Sequence, residues 1–506
     1  MDTRNYMHMQ LLVVAATGLH LSQRLSLTRP VAVLRAPPLH GAVVEQSSAR
    51  TAPPPLTDDQ QWPRSWVPMA STYELDPDRP TPLQFMGRSY VTWRDNDGAW
   101  QLFDDACPHR LAPLSEGRVD RDSGTLECAY HGWCFESGGG CSRIPQATDR
   151  LGKTMCAAPG ASVGSYAVQV HKEILFFWPW SEDPATAPEH ATPEHMMSSV
   201  PELSSTYTRD LPYGWDTLVE NLADPAHVPF AHHGMQGSRS DAIPINMTVL
   251  SKGPEGFSFS YGDRTMGKRR AGVGTFKAPY FLTYDGVFEQ PPPPADGKAQ
   301  RRKQKEGQMR TTFNLTTACI PLRAGHSRII VFAGSRAKKP NASLFSKVLQ
   351  SLPVWLTHIL SGRFLDSDLA FLHYQEQTLR ERHVAPADAP SAYFMPAPAD
   401  RATAAFRQWL GAHAHVLGPL PPPIKSREVL LSRWEQHAVH CVHCQAAAAG
   451  LVVWRRNAYV ALAATLLLSH WWLARLGAVL CLAVLRGCAA VEQQLKFADY
   501  KHYLNH

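Results

Sequence analysis

Cys107-Pro-His109-Arg-Leu-Ala-Pro-Leu-Ser-Glu-Gly117 and, further on, Cys128-Ala-Tyr-His131-Gly-Trp133 decide how this chain is read. Eighteen residues separate His109 from Cys128, and each loop supplies one thiol and one imidazole. Two Cys and two His presented in this way suit a two-iron, two-sulfur (2Fe-2S) cluster with thiolates on one iron and imidazoles on the other. Replacing two thiolates by neutral imidazoles raises the reduction potential, so such a cluster accepts electrons from a low-potential ferredoxin. A zinc ion could use the same four residues, but zinc fingers pair cysteine with cysteine and histidine with histidine. Gly132-Trp133 closes the second loop, and Gly138-Gly-Gly140 permits a tight turn after it.

Around these loops the chain reads as short strands broken by turns. Ser89-Tyr-Val-Thr-Trp93 and Ala99-Trp-Gln-Leu-Phe103 flank Asn96-Asp-Gly98, a hairpin signal, and a second strand-rich stretch runs from Val163 to Trp178. This predicts an all-β domain over residues 62–182. Residues 183–195, rich in Pro, Ala, Thr and Glu, read as a linker to a larger α+β segment over residues 200–425.

The two ends have different compositions. Residues 1–57 hold five Arg, no Lys and only two acids, Asp2 and Glu45, which is transit-peptide composition, and Met9 to Leu21 is apolar enough for a signal-peptide core. Near the other end, Asn457 to Ala474 is eighteen residues without a formal charge, flanked by Arg455 and Arg456 and by Trp471-Trp472. That length approaches a membrane crossing with interfacial anchors. The next stretch, Leu476 to Leu485, is shorter, and extending it to Val491 places Arg486 where it must snorkel or find a partner. Residues 457–491 are expected to form a membrane hairpin, with a buried amphipathic pair as the alternative.

Over all 506 residues, 50 Lys+Arg stand against 44 Asp+Glu, a net charge of +6. So small an excess, without basic-aromatic stripes, excludes nucleic acid as an expected partner. Pro291-Pro-Pro-Pro294 followed by Lys298, Arg301, Arg302, Lys303 and Lys305 reads as an exposed loop, with docking of an acidic electron donor as the weaker reading. Ten cysteines are too sparse for a disulfide framework and point to metal or redox chemistry in a reducing compartment; Cys134, Cys141 and Cys156 read as structural thiols.

A cluster alone only carries electrons, so somewhere to use them is needed. Glu220-Asn-Leu-Ala-Asp224-Pro-Ala-His227-Val-Pro-Phe-Ala-His232 offers it. Asp224 and His227, three apart, would share a helix face, and His232 can converge with His227 if the helix bends or ends near Pro229. Two His and one carboxylate leave positions open on Fe(II) for oxygen. The carboxylate must come from elsewhere, and Phe364-Leu-Asp366-Ser-Asp368-Leu-Ala-Phe-Leu-His-Tyr-Gln375-Glu376 reads as a helix carrying acids. His233 adjoins His232 as a pocket or supporting residue.

The segments 107–117 and 128–133, with Ile144-Pro-Gln146 downstream, resemble the Rieske domain of the plastid Rieske non-haem iron oxygenases. The resemblance covers roughly residues 62–506. It implies an N-terminal all-β Rieske domain, a helix-grip-type α+β catalytic domain and C-terminal transmembrane helices. The cofactors would be a 2Fe-2S cluster on Cys107, His109, Cys128 and His131 and a mononuclear Fe(II) on His227, His232 and Asp368. In the resembling enzymes an aspartate seven residues before a Gln is the carboxylate ligand, which maps to Asp368, with Asp366 as fallback and otherwise a first-turn helix acid. Asp224 would bridge a cluster histidine of one subunit to an iron histidine of the next, here His131 and His227, which implies a head-to-tail homotrimer.

Before the apolar region lies Trp434-Glu-Gln-His437-Ala-Val-His440-Cys441-Val-His-Cys444, a C-x-x-C segment over residues 434–445. A metal site would need further ligands such as His437 or His440, a buried structural pair is the bland reading, and a thioredoxin-reducible switch at Cys441 and Cys444 is the preferred one. With Phe497-Ala-Asp-Tyr-Lys-His502, this motif resembles the branch containing pheophorbide a oxygenase and a translocon-associated phyllobilin hydroxylase. The implied function is a monooxygenase at a thylakoid or inner-envelope membrane. It would use O2 and ferredoxin-derived electrons on a chlorophyll-derived tetrapyrrole, pheophorbide a first. Oxygenation of a phyllobilin or a protochlorophyllide, and a redox-sensing role at the plastid import machinery, are the alternatives.

Overall fold

Alternation of buried and exposed positions, as along Gly256–Thr265, marks strands of four antiparallel sheets. The computed structural model describes residues 62–180, 182–202, 204–289, 312–335, 351–385, 388–414, 422–467, 472–500 and 502. The N-terminal address, the Pro291–Lys305 run and Trp471 lie outside the described residues.

The first ten strands form three small sheets. β1 (Val67–Ser71), β2 (Thr81–Phe85), β3 (Arg88–Arg94) and β4 (Trp100–Asp104) precede the first Cys-His loop or lead into it. β5 (Arg118–Asp120), β6 (Thr125–Glu127), β7 (Cys134–Phe135) and β8 (Cys141–Arg143) surround the second, and β9 (Ala167–His171) and β10 (Ile174–Trp178) close the unit. The strand orders are β1-β10-β9, β2-β3-β4 and β5-β6-β7-β8. The predicted hairpin is present: β3 pairs antiparallel with β4, Arg94 facing Trp100, and Gly98 turns the chain with φ 84°.

Cys141 and Cys156, expected as free thiols, form a disulfide. Helix α1 (Asp149–Cys156) folds back and brings the two Cα atoms to 4.9 Å, within bonding reach. Residues 183–195 are not an open linker either. They pack as short helical turns, Pro184–Thr186, Glu189–Ala191 and Pro193–Met196, with Asp183 and Thr192 accepting backbone N–H groups at two starts and Ala191 and Met196 buried.

β11 (Ser204–Leu211) and β12 (Thr248–Gly253) are the two edges of a seven-stranded antiparallel sheet. Between them run β13 (Gly256–Thr265), β14 (Lys268–Lys277), β15 (Phe281–Phe288), β16 (Thr312–Arg323) and β17 (His326–Ser335), in the order β11-β17-β16-β15-β14-β13-β12. Helices α2 (Trp215–Leu222), α4 (Val354–Glu381) and α5 (Arg401–His413) share its core, through Leu218, Leu369, Leu372, Phe406 and Trp409; α3 (Val228–Ala231) is a single turn. This is the α+β arrangement expected. The same core also takes in Trp66, Val67, Phe85, Tyr90 and Phe177 from the N-terminal sheets, whereas the Cys-His loops have a smaller core of their own around Trp93, Phe103, Leu114 and Phe135.

At the C-terminal end, α6 (Val442–Leu467) and α7 (Trp472–Lys496) form a helical hairpin, tied near its base by an Arg455–Glu492 ion pair. The uncharged run 457–474 holds the end of α6 and the start of α7. Among the described residues, α7 is the helix long and apolar enough to cross a membrane, with a mean hydropathy of 1.8. Its 25 residues extend about 37 Å, against about 30 Å of hydrocarbon. Arg486 lies exposed on it.

Beneath the sheet, Arg407 binds both Asp216 (2.6 Å) and Glu220 (2.5 Å). The third acid of this group, Glu376, accepts from Gly214 N–H and Thr217 Oγ1 at 2.6 Å each and leaves Oε2 without a hydrogen-bond partner. Burial, then the charge of Asp216, pushes its carboxyl from 4.5 up to about 8. The folded state thus holds a proton that the unfolded chain releases. Stability from this group is complete below about pH 4.5 and falls as pH rises towards about 8. Glu376→Gln should flatten that slope, read by denaturant midpoints between pH 5 and pH 8 in about one-unit steps.

Candidate functional site

The two Cys-His loops have the same backbone plan. Cys107 N–H donates to Ala112 O and Leu111 N–H returns to Cys107 O (2.8 and 2.7 Å); Cys128 N–H donates to Trp133 O and Gly132 N–H returns to Cys128 O (2.9 and 3.0 Å). The fifth residue of each loop is left-handed, Leu111 at φ 58° and Gly132 at φ 69°. Glycine suits the second, where a side chain would press on Pro145. Leu111 holds a conformation that costs of order 1 kcal/mol or more, of the kind that concentrates at functional sites.

The plan buries both thiols and leaves both imidazoles at the surface side. Cys107 and Cys128 are 1% and 2% exposed. His109 stacks on Trp133 at 4.8 Å, and its ring centroid lies 4.6 Å from that of His131. Both thiols are free, and burial, with Cys128 beside it, pushes the Cys107 thiol up to about 11. Two adjacent buried thiols are what a positively charged metal would convert to thiolates. The donor set therefore fits a 2Fe-2S cluster, thiolates inward and imidazoles outward.

The second site lies where α4 crosses the 224–232 segment. That segment is broken: Pro225–His227 is one 3-10 turn, followed by the single turn α3. Asp224 caps the first turn through Ala226 N–H (2.7 Å), so it does not share a helix face with His227. The break converges the imidazoles, as the placement of Pro229 led us to expect. His227 Nε2 and His232 Nε2 are 3.3 Å apart, and Asp368 Oδ2 lies 3.7 and 3.4 Å from them.

Tautomers follow from the outer nitrogens. His227 Nδ1 faces the Asp224 carbonyl, which can only accept. Ser367 Oγ donates to Phe364 O and so accepts from His232 Nδ1 at 2.8 Å. Both Nε2 atoms are then bare lone pairs pointing at each other and at a carboxylate. Asp368 Oδ1 is buried without a hydrogen-bond partner. Burial pushes the Asp368 carboxyl up to about 6 and, with His227 and His502 nearby, the His232 imidazole down to about 3. Three converging lone pairs and an orphaned carboxylate oxygen fit a divalent metal with open positions, as in the two-His-one-carboxylate sites of non-haem iron.

Asp366, the fallback carboxylate, is engaged elsewhere: its oxygens meet Arg209 Nη1 at 2.8 Å and Arg433 Nε at 2.9 Å. It is not a first-turn acid, since α4 begins at Val354. Asp224 Oδ2 stands 3.9 Å from His227 Nδ1 with a third of its side chain exposed. His233 Nδ1 accepts from Arg239 N–H (3.1 Å) and holds the following turn. Sequence reasoning missed Ser367, although its place between two acids of one helix was visible. It also missed the C-terminal tail, where His502 binds Ser367 O (2.8 Å) and Tyr500 OH donates to His233 O (3.2 Å).

Residues 65–166 match the family model of the Rieske 2Fe-2S domain, and residues 276–384 match that of pheophorbide a oxygenase. A pheophorbide a oxygenase of Oryza sativa subsp. japonica is 34% identical over 86% of this chain and 83% of its own length. The chain belongs to the plastid Rieske non-haem iron oxygenases. A flavonoid 8-hydroxylase 2 of Ocimum basilicum is 33% identical over 79% of this chain and 76% of its own. A protochlorophyllide-dependent translocon component 52 of Arabidopsis thaliana is 33% identical over 78% and 74%. All three relatives are chloroplastic by name. Among solved structures, dicamba monooxygenase bound to 3,6-dichlorosalicylic acid shares the fold, with a TM-score of 0.50 and 18% identity over 69% of this chain and 98% of that one. As a member of this family the chain is an oxygenase, and it requires O2 and an electron donor.

Ser367→Ala removes the acceptor that fixes the His232 tautomer without touching the converging atoms. Affinity for iron at this site should fall about 10- to 100-fold in chelator competition, with the cluster absorbance unchanged.

Proposed function

We propose that this oxygenase is a ferredoxin-dependent monooxygenase of a chlorophyll-derived tetrapyrrole, pheophorbide a first, working at a plastid membrane. Its layout would be a Rieske domain over residues 62–182 and a catalytic domain over residues 200–425. The observation that carries the reading is the convergence of His227, His232 and Asp368 around an orphaned carboxylate oxygen, in a chain that also carries the paired Cys-His loops. Cys107 and Cys128 would hold one iron of the cluster and His109 and His131 the other; His227, His232 and Asp368 would hold the mononuclear iron. When bound, the cluster supplies single electrons and the iron activates O2.

The remaining work falls to the protein. The Asp224 carbonyl and Ser367 keep the imidazole protons on the outer nitrogens, and the buried face of α4 keeps Asp368 from bulk water. Asp224 would accept from His227 through its backbone carbonyl and, across a subunit boundary, from His131 of a neighbouring copy through its carboxylate, making a head-to-tail trimer. Two features support that role: a third of the Asp224 side chain is exposed, and Leu111 and Tyr130, beside the cluster imidazoles, are 74% and 61% exposed. An apolar interface rim of this kind suits a permanent contact. The exposed apolar faces of α6 and α7 would seat the enzyme in the thylakoid or inner-envelope membrane, beside a hydrophobic substrate.

The substrate rests on likeness to the pheophorbide a oxygenases, and likeness to the flavonoid 8-hydroxylase supports a flavonoid as second reading. Anaerobic reduction with ferredoxin, then O2 and mass spectrometry over pheophorbide a, protochlorophyllide, a phyllobilin and a flavone, separates them. Pheophorbide a should gain one oxygen atom, and His227→Ala should abolish that gain with the cluster spectrum intact. Oxygenation surviving in His227→Ala would sink the iron assignment; a wild-type product from the flavone alone would replace the substrate. Separately, Val479→Glu with Leu480→Glu, both exposed on α7, should move the protein from the membrane to the soluble fraction on flotation.

A further inference from the structure

A second set of metal-binding side chains converges away from both sites, at the base of the helical hairpin. His358 comes from near the start of α4, His437 from the π-helical turn Trp434–Ala438, Cys444 from the first turn of α6, and Cys441 from the residue before that helix. All four are buried, and one ligand atom from each lies within 4.8 Å of the others. Neither thiol is in a disulfide. His437 Nε2 lies 3.0 Å from His358 Nδ1; Cys441 and Cys444 Sγ lie 3.5 and 3.6 Å from His358 Nδ1, and Cys444 Sγ lies 3.4 Å from His437 Nε2.

The outer nitrogens settle the protonation. His358 Nε2 meets Thr206 O at 3.0 Å and His437 Nδ1 meets Thr208 O at 2.5 Å, both carbonyls of β11. A carbonyl can only accept, so these outer nitrogens carry the protons. The inner nitrogens are then two bare lone pairs facing each other at 3.0 Å, an arrangement that a shared cation, or protons from the two thiols, must relieve. Backbone carbonyls behind both imidazoles are also the usual support of a metal-bound histidine.

The spacings match one ion better than a cluster. A tetrahedral zinc with bonds of about 2.0–2.1 Å to nitrogen and 2.3 Å to sulfur puts N···N near 3.4 Å and N···S near 3.6 Å. Two irons with bridging sulfides would push the thiolate and imidazole pairs further apart than the observed 3.4 to 3.6 Å. Two thiolates and two imidazoles at tetrahedral spacing select zinc. We propose that His358, His437, Cys441 and Cys444 bind a structural zinc ion that fastens the base of the hairpin to α4 and β11. A small cavity lined in part by Ala70, Leu75, His437, His440 and Cys441 lies against the site. In this role Cys441 and Cys444 are ligands, and the reversible disulfide expected from the C-x-x-C spacing becomes the competing outcome.

The test uses the full chain with its iron centres, produced in zinc-supplemented medium and purified without chelators. About one zinc per chain is expected, with a zinc K-edge spectrum fitted by two sulfur and two nitrogen neighbours. Cys441→Ser with Cys444→Ser should lose the zinc but keep the iron content and cluster absorbance. Cobalt exchanged into the wild type should give thiolate-to-metal charge-transfer bands that the double variant lacks. Substoichiometric zinc without cobalt bands, zinc without sulfur neighbours, zinc kept by the double variant, or a Cys441–Cys444 disulfide in the protein as purified would each overturn the proposal. If the double variant does not accumulate, the wild-type zinc ratio and K-edge spectrum decide.

Discussion

Asp366 holds the guanidinium groups of Arg209 and Arg433 in the protein interior, and the rotation of α4 about its own axis follows from that. Arg209 belongs to β11 and Arg433 to the segment leading into the hairpin, so one carboxylate joins sheet, helix and C-terminal region. A position two residues on faces about 200° away. With Asp366 turned towards the arginines, Asp368 must face His227 and His232. Either carboxylate alone reads as a plausible metal ligand; the helix cannot offer both. Breaking a buried pair of this kind by removing one partner costs about 3–5 kcal/mol, because the other charge is left without compensation. Such a helix can hold a carboxylate at a fixed depth, beyond the reach of water that would otherwise solvate it.

What was legible in the sequence is what lies close together along it. The Cys107-to-Gly117 and Cys128-to-Trp133 loops are read directly because their hydrogen bonds close within five residues. His227 and His232 are likewise local, and the β3–β4 hairpin announced itself through Asn96-Asp-Gly98. Asp368 needed a family resemblance, since 135 residues separate it from His232. His358 carries no signal at all: it looks like any apolar-helix histidine until β11 and the 434–445 segment close around it. Hydrophobic run length does not by itself place helix ends, and α6 stops at Leu467 and α7 starts at Trp472 within the uncharged run. The Cys141–Cys156 bond was hidden in the same way, since only the fold of α1 brings the two together.

α4 is therefore shared between the His227–His232–Asp368 site and the hairpin base. Counting from Val354, it carries His358, then Asp366, Ser367 and Asp368, then Glu376, and each meets a different part of the chain. His502 and Tyr500 of the tail return to Ser367 and His233, so the segment after the hairpin also ends beside the His227–His232–Asp368 site. The apolar hairpin is thus bracketed by two chain segments that both report to one helix. The seating of the hairpin and the way His227, His232 and Asp368 are held are coupled through α4.

The continuous core has a bearing on how this enzyme could have arisen and how it could be re-engineered. Trp66, Val67, Phe85, Tyr90 and Phe177 from the electron-carrying half interleave with Trp215, Phe276, Tyr280 and Ile330 from the oxygen-using half. A recombination break at 182/200 would strip apolar surface from both pieces, each large side chain worth about 1.5–3 kcal/mol of burial. Exchange of redox modules between relatives is feasible only at the smaller core around Trp93 and Leu126, where the metal-bearing loops are insulated from the rest. The unit of inheritance is then the loop pair with its own small core, and the two halves of the remaining body must change together.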